Sequence, residues 1–187
     1  MIENLPKGIT VYCASANRIP RVYTDAAHEL GAEIARSGLP LITGAGSMGL
    51  MGAINDACLA HGGVTIGVIP HFMKERGWEH HGLTHLVVTE DMHRRKETMA
   101  ALSRAAIALP GGVGTFEELL EIITWRQLHL YEGEVVICNI DGYYDALLAM
   151  MERAGKEGFL SQDHRDHPTL FRVASTPAQA LEMALGK

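Results

Sequence analysis

Leu109-Pro110-Gly111-Gly112-Val113-Gly114-Thr115-Phe116-Glu117-Glu118 ends a short apolar run, Ala105 to Leu109, with a proline and three glycines in four positions. An amphipathic stretch opens at Thr115. The pattern predicts a strand, a tight turn and a helix start. Glycines let backbone N–H groups approach a ligand closely, and a helix N-terminus carries partial positive charge, so the turn suits a phosphate. Glu117 and Glu118 fall in the first predicted turn, where carboxylates favour the dipole and can reach a sugar beside the phosphate. A plain glycine-rich connection with acidic dipole residues is the competing reading.

Outward from this turn, apolar runs of strand length recur at Ile9–Cys13, Leu39–Thr43, Thr65–Ile69, Leu86–Val88, Ala105–Leu109 and Val135–Ile140. Helical patterns separate them, at about Arg21–Ser37, Gly49–His61, Asp91–Ser103, Thr115–Leu130 and Tyr143–Glu157, with a last one from Pro177. Near-continuous apolar strands alternating with amphipathic helices predict an α/β fold, a Rossmann-like, doubly wound parallel sheet with helices on both faces. Ligands in such sheets bind beyond the carboxyl ends of the strands. With no repeat or linker, residues 1–187 read as a single nucleotide-binding domain. The one long loop, His71 to Thr84, is placed to cap a pocket.

Sixteen basic and 22 acidic residues give a net charge of −6, which argues against nucleic acid or an anionic membrane as partner. No apolar run approaches the roughly 18 residues of a membrane span, and the N-terminus lacks a signal pattern, so a cytoplasmic protein is expected. Cys13, Cys58 and Cys138 lie in apolar or small-residue segments and read as buried, reduced thiols.

Gly44-Ala45-Gly46-Ser47-Met48-Gly49 matches G-x-G-x-x-G. The next strand ends in Ile69-Pro70-His71, with no acid to hold a ribose hydroxyl. The motif, Gly46 included, therefore reads as a wall of a nucleotide pocket, with close helix–sheet packing as the alternative. Asp91-Met92-His93-Arg94-Arg95-Lys96 sets basic residues at a helix start, against the dipole. Arg94 reads as outward; Arg95 and Lys96 read as facing an anion or carboxylate. Ten histidines include His80, His81, His85, His164 and His167, yet no zinc spacing appears and no metal is expected. His93 alone lies next to the site. Trp125, Leu128 and Leu130 read as core or subunit contacts, and no G-x-S-x-G elbow supports a serine hydrolase.

The ordered motifs at Gly44–Gly52, Met92–Lys96 and Pro110–Glu118, with Ile66-Gly67-Val68-Ile69-Pro70 and Asp141-Gly142-Tyr143-Tyr144 between and after them, resemble the Lonely Guy (LOG) family from Val11 to about Met150. Its members are cytokinin riboside 5′-monophosphate phosphoribohydrolases, long mislabelled as lysine decarboxylases. The resemblance implies Arg95 and Glu118 as catalytic residues. It sets Lys96 and the turn Gly111, Gly112, Val113, Gly114, Thr115 and Glu117 at substrate-binding positions, with Ser15, Gly46 and Met92 beside them. It implies no cofactor and a homodimer with pockets near the subunit interface, hexamers occurring in some relatives. Three departures stand out. Cys13-Ala14-Ser15-Ala16 keeps only the Ser15 hydroxyl of the family's Cys-Gly-Ser-Ser, Ala45 replaces a usual glycine, and Gly77 replaces a usual glutamate, so that either Glu75 or Glu79 substitutes for it or specificity differs.

The expected reaction is hydrolysis of the N-glycosidic bond of an N6-modified adenosine 5′-monophosphate. Two rivals share the residues: a nucleosidase for AMP or another purine nucleotide, and a non-catalytic carrier of a phosphorylated ligand, of the molybdenum-cofactor type. A pyridoxal-phosphate decarboxylase would need a Schiff-base lysine, and Lys96 has no supporting motif.

Overall fold

The computed structural model describes residues 4–160 and 170–187, so His164 and His167 lie outside the described residues. Seven strands form one wholly parallel sheet: β1 (Gly8–Tyr12), β2 (Leu41–Thr43), β3 (Thr65–Pro70), β4 (His85–Thr89), β5 (Ser103–Ala108), β6 (Glu134–Cys138) and β7 (Arg172–Ala174). Their spatial order is β4-β3-β2-β1-β5-β6-β7. The helices are α1 (Arg21–Arg36), α2 (Gly49–Ala60), α3 (His71–Lys74), α4 (Met92–Leu102), α5 (Val113–Gln127), α6 (Asp145–Lys156) and α7 (Pro177–Ala184).

Alternation along each strand feeds two cores. In β1, Ile9 and Val11 join Leu30, Ile34 and Ile54 under α1 and α2, with Leu181 of α7. Tyr12 points the other way, toward Met99 of α4 and Leu119 and Ile122 of α5. In β5, Ala105 and Ile107 take the first face, and Ala106 and Ala108 the second. A strand buried on both faces has no polar side to show, which is why the runs look uniformly apolar. The face of each helix follows from right-handed crossovers. The chain steps outward from β1 to β4, then returns to β5 beside β1 and steps the other way, so α5 and α6 cover the opposite face from α1 and α2.

This reversal leaves a crevice between the carboxyl ends of β1 and β5, the topological switch point. The glycine-rich turn Leu109–Gly112 lies there, immediately after β5.

Three features differ from the sequence reading. Helix α5 begins at Val113, two residues before Thr115, because Gly112 takes the extended N-cap role (φ −90°, ψ −158°) and its carbonyl already accepts from the Phe116 N–H. Glu117 and Glu118 therefore lie in the second turn, not the first. The sheet also gains β7, three residues long, with alternation too brief to register, and the loop after β3 contains the four-residue α3.

Candidate active site

A cavity of about 470 Å³ occupies the switch point. The segment after β1 supplies Cys13 to Ala16, the G-x-G turn after β2 supplies Gly44, Gly46, Ser47 and Met48, and α2 adds Met51. Gly112 at the N-cap of α5 and Gly114, Thr115 and Glu118 within it complete the lining, while Met92 and Arg95 come from α4 and Met73 and Trp78 from the segment after β3.

Arg95 and Glu118 meet in this cavity. The Arg95 Nη1 donates to Glu118 Oε1 at 2.9 Å, and its Nε donates to the Val68 carbonyl of β3 at 3.0 Å. Both residues are buried, at 5% and 7% exposure. Each partner's position has a local cause. Asp91 caps α4 by accepting from the Arg94 N–H at 2.8 Å, which offsets the basic residues at the helix start. Thr10 of β1 donates to the Met99 carbonyl at 3.3 Å, fixing α4 on the sheet. Gly44 leaves the guanidinium its space, since a Cβ there would run into Arg95. The first glycine of the G-x-G turn thus accommodates an arginine.

Burial raises the Glu118 carboxyl above ordinary glutamate, with the Arg95 charge and hydrogen bond pulling the other way. Cys13 lines the same cavity, but burial and then the Glu118 charge push its thiol up, so it offers no thiolate nucleophile.

The turn itself is braced from a distance. Tyr143 Oη donates to the Gly111 carbonyl at 2.6 Å, and the fully buried Tyr144 Oη donates to the Leu109 carbonyl at 2.7 Å. A Cβ on Gly111 would collide with Thr115, so this position admits only glycine without rearrangement. With its carbonyls held from behind, the turn leads directly into α5, whose first N–H groups have no intrahelical acceptor. Sequence reasoning noticed the Asp141-Gly142-Tyr143-Tyr144 stretch but assigned its tyrosines no role; contacts spanning 32 and 35 residues leave no periodic trace.

Ser15, Gly46, Met92, Arg95, Gly112, Gly114, Thr115 and Glu118 share the cavity, as does Trp78, whose direction the sequence did not reveal. Gly111 and Val113 belong to the same turn without lining the cavity, Val113 pointing outward at 83% exposure. Lys96 and Glu117 lie outside it: Lys96 Nζ pairs with Glu117 and, at 3.0 Å, with Glu121. Burial opposes the Lys96 charge, but these two hydrogen bonds outweigh it and hold the ammonium above the ordinary lysine value. Arg94 is outward and pairs with Glu97 at 2.7 Å. His93 and Glu75 are exposed away from the lining, and Glu79 forms a bridge with Gly46 at its rim. Trp125 packs on the core, whereas Leu128 and Leu130 are exposed. Among the described residues no three His, Cys, Asp or Glu side chains gather around a metal-sized site. A second hollow, about 530 Å³ and lined by Lys7, Arg104, Trp125 and Tyr131 among others, opens near the start of β5, at the opposite end of the strands from this pair.

Residues 51–184 match the family described as "Possible lysine decarboxylase". The chain is 45% identical over 157 residues to the cytokinin riboside 5′-monophosphate phosphoribohydrolase of Rhodococcoides fascians, covering 83% of this chain and 79% of that one. It is 44% identical over 164 residues to an enzyme of the same name from Arabidopsis thaliana, covering 88% and 77%. In fold it resembles the molybdenum cofactor binding protein of Rippkaea orientalis, with TM-score 0.72, 20% identity and 98% of both chains covered. The Moco carrier protein of Chlamydomonas reinhardtii is similar, at TM-score 0.72, 21% identity and 97% of both chains.

Proposed function

The chain belongs to the Lonely Guy (LOG) family, and from that premise we propose that it hydrolyses the N-glycosidic bond of N6-modified adenosine 5′-monophosphates, releasing free base and ribose 5-phosphate. The observation that carries this reading is the buried Arg95–Glu118 pair lining one cavity together with Gly112, Gly114 and Thr115 at the start of α5.

The phosphate sits at the N-terminus of α5, where the N–H groups of Val113, Gly114 and Thr115 and the helix dipole favour an anion. The ribose then lies toward Glu118. As the bond from the anomeric carbon to the base nitrogen breaks, its electron pair leaves with the base and positive charge grows on the sugar. The Glu118 carboxylate stabilises that charge and orients the attacking water. Water supplies the new carbon–oxygen bond, its hydrogens being shared between the sugar hydroxyl and the departing base. Arg95 keeps its proton throughout; it holds Glu118 in place and balances charge on the leaving base. A pyridoxal-phosphate decarboxylase needs a free amine at the site, and no lysine lines this cavity among the described residues. The likeness to molybdenum-cofactor carriers is one of fold, and simple binding would not need the buried acid–arginine pair.

In this reading the enzyme works in the cytoplasm as a homodimer, the assembly the family resemblance implies. No described helix is long and apolar enough to cross a membrane, and the exposed Leu128 and Leu130 offer apolar surface to a second copy. The test is product analysis of N6-isopentenyladenosine 5′-monophosphate in ¹⁸O-labelled water. Free base and ribose 5-phosphate in equal amounts, with label on the sugar, are expected; intact nucleotide, or cleavage at the phosphate, would reject the reaction.

A further inference from the structure

Besides Arg95, Thr115 and Glu118, the cavity is lined by Ser47 and by the apolar side chains of Met48, Met51, Met73 and Trp78, of which Met48 and Trp78 are partly open to solvent, at 48% and 41% exposure. Trp78 is the only aromatic ring lining it among the described residues. Its backbone is stitched to the G-x-G turn. Ser47 N donates to the Trp78 carbonyl at 3.2 Å, His80 N donates to the Ala45 carbonyl at 2.7 Å, and Gly46 bridges Glu79. His80 in turn meets Asp56 of α2 at 2.8 Å. The outer face of the indole is covered by Arg76, whose guanidinium carbon lies 5.0 Å from the Trp78 ring centroid and 6.0 Å from that of Phe72. A segment that would otherwise be a free loop is fastened on both sides, and its indole is fixed at the cavity wall.

We infer that Trp78, clamped by Arg76, is a specificity-determining residue that selects bases carrying a bulky apolar substituent on the exocyclic amine. The inference rests on the proposed reaction and deepens it. An unsubstituted adenine turns two N–H donors toward a wall of thioethers and indole, where sulfur is only a weak acceptor. A desolvated donor without a partner is penalised. Alkylation removes one donor and adds carbon surface that the methionines and the indole can bury. Neither Glu75 nor Glu79 lines the cavity to accept from the amine and Gly77 has no side chain, which leaves the Ser47 hydroxyl, itself donating to the Trp78 carbonyl at 3.4 Å, as the side-chain acceptor next to Trp78. Arg76 is exposed and away from the lining, so it acts as a positioning residue for the ring.

The experiment compares kcat/KM for N6-isopentenyladenosine 5′-monophosphate and AMP, alongside calorimetric binding of N6-isopentenyladenine and adenine as free bases. Wild type should favour the alkylated compounds by on the order of 10–100-fold. Trp78→Ala should lower both preferences about tenfold, and Trp78→Phe should retain most of them. Arg76→Ala, an exposed change, should lower them several-fold, with Arg76→Lys restoring the loss because the cation over the ring returns. Equal or greater preference for the alkylated base in Trp78→Ala would overturn the inference. So would indifference to Arg76→Ala should the Trp78→Ala protein not fold. The binding arm separates the two claims: absence of hydrolysis from every nucleotide rejects the reaction, whereas a binding preference untouched by these substitutions rejects the role of Trp78.

Discussion

Glu118 is a buried acid that accepts a hydrogen bond from Arg95, and the protein's pH behaviour follows from that pairing. Burial raises its pKa and Arg95 opposes the rise. The acid limb of kcat should therefore lie above the ordinary glutamate value of about 4.3. Arg95→Met, which removes the main opposition to burial, should move that limb to higher pH in a pH–rate profile; a limb at the ordinary value in both proteins would remove Glu118 from the titration. For stability the sign is the reverse of a salt-bridged surface acid. A carboxyl raised on folding contributes stability fully present below its unfolded pKa, and that contribution is lost as pH rises through its folded value. Ala45 makes a second prediction at this scale. It is fully buried yet holds φ +64°, the left-handed region that costs a non-glycine residue roughly 1–2 kcal/mol. Ala45→Gly relieves that cost while losing one methyl, about 0.8 kcal/mol. Its Tm should hold or rise, whereas Ala106→Gly in β5, buried and unstrained, should lower it. The replaced glycine was legible in the sequence, but its left-handed backbone was not, because no spacing signals φ.

At the scale of elements, the glycine-rich turn works because α6's approach holds it. Tyr143 and Tyr144, just before α6, hydrogen-bond the Gly111 and Leu109 carbonyls, and Asn139 accepts from the Tyr144 N–H at 2.7 Å. Tyr143→Phe removes one brace from the half-exposed side, leaving the turn free to rotate its N–H groups away from a phosphate. KM for the nucleotide should rise several-fold with kcat little changed, and steady-state kinetics separate the two; a fall in kcat alone would assign Tyr143 to the chemistry instead. The turn, the helix behind it and the strand before it were readable because each obeys a local rule: an apolar run, a proline stop, glycines. The start of α5 was misread by two residues for the same reason, since glycine is a poor helix former and Gly114 looked like loop. Lys96 shows the other limit. Its charge announced a partner, but whether that partner was a ligand or Glu117 and Glu121 depended on packing between α4 and α5 that no sequence window contains.

For the whole molecule, the decisive event is the reversal of strand order between β1 and β5. Parallel strands with buried faces were predictable from their runs, and a crevice at their carboxyl ends followed from the fold class. That three motifs separated by about 40 and 15 residues converge there follows from the same topology: each begins where a strand ends. Only Met73 of α3 and Trp78 after it, which complete the wall begun by Met48 of the G-x-G motif, had no pattern of their own. The central claim is that this crevice breaks a glycosidic bond through Glu118. Its most direct test is release of free base from N6-isopentenyladenosine 5′-monophosphate by wild type and by Glu118→Gln, with folding of both checked by circular dichroism. A loss of about 10²–10³ in rate for the folded variant is predicted, the scale of removing one transition-state electrostatic contact. Wild-type rates in a folded Glu118→Gln protein would contradict the account.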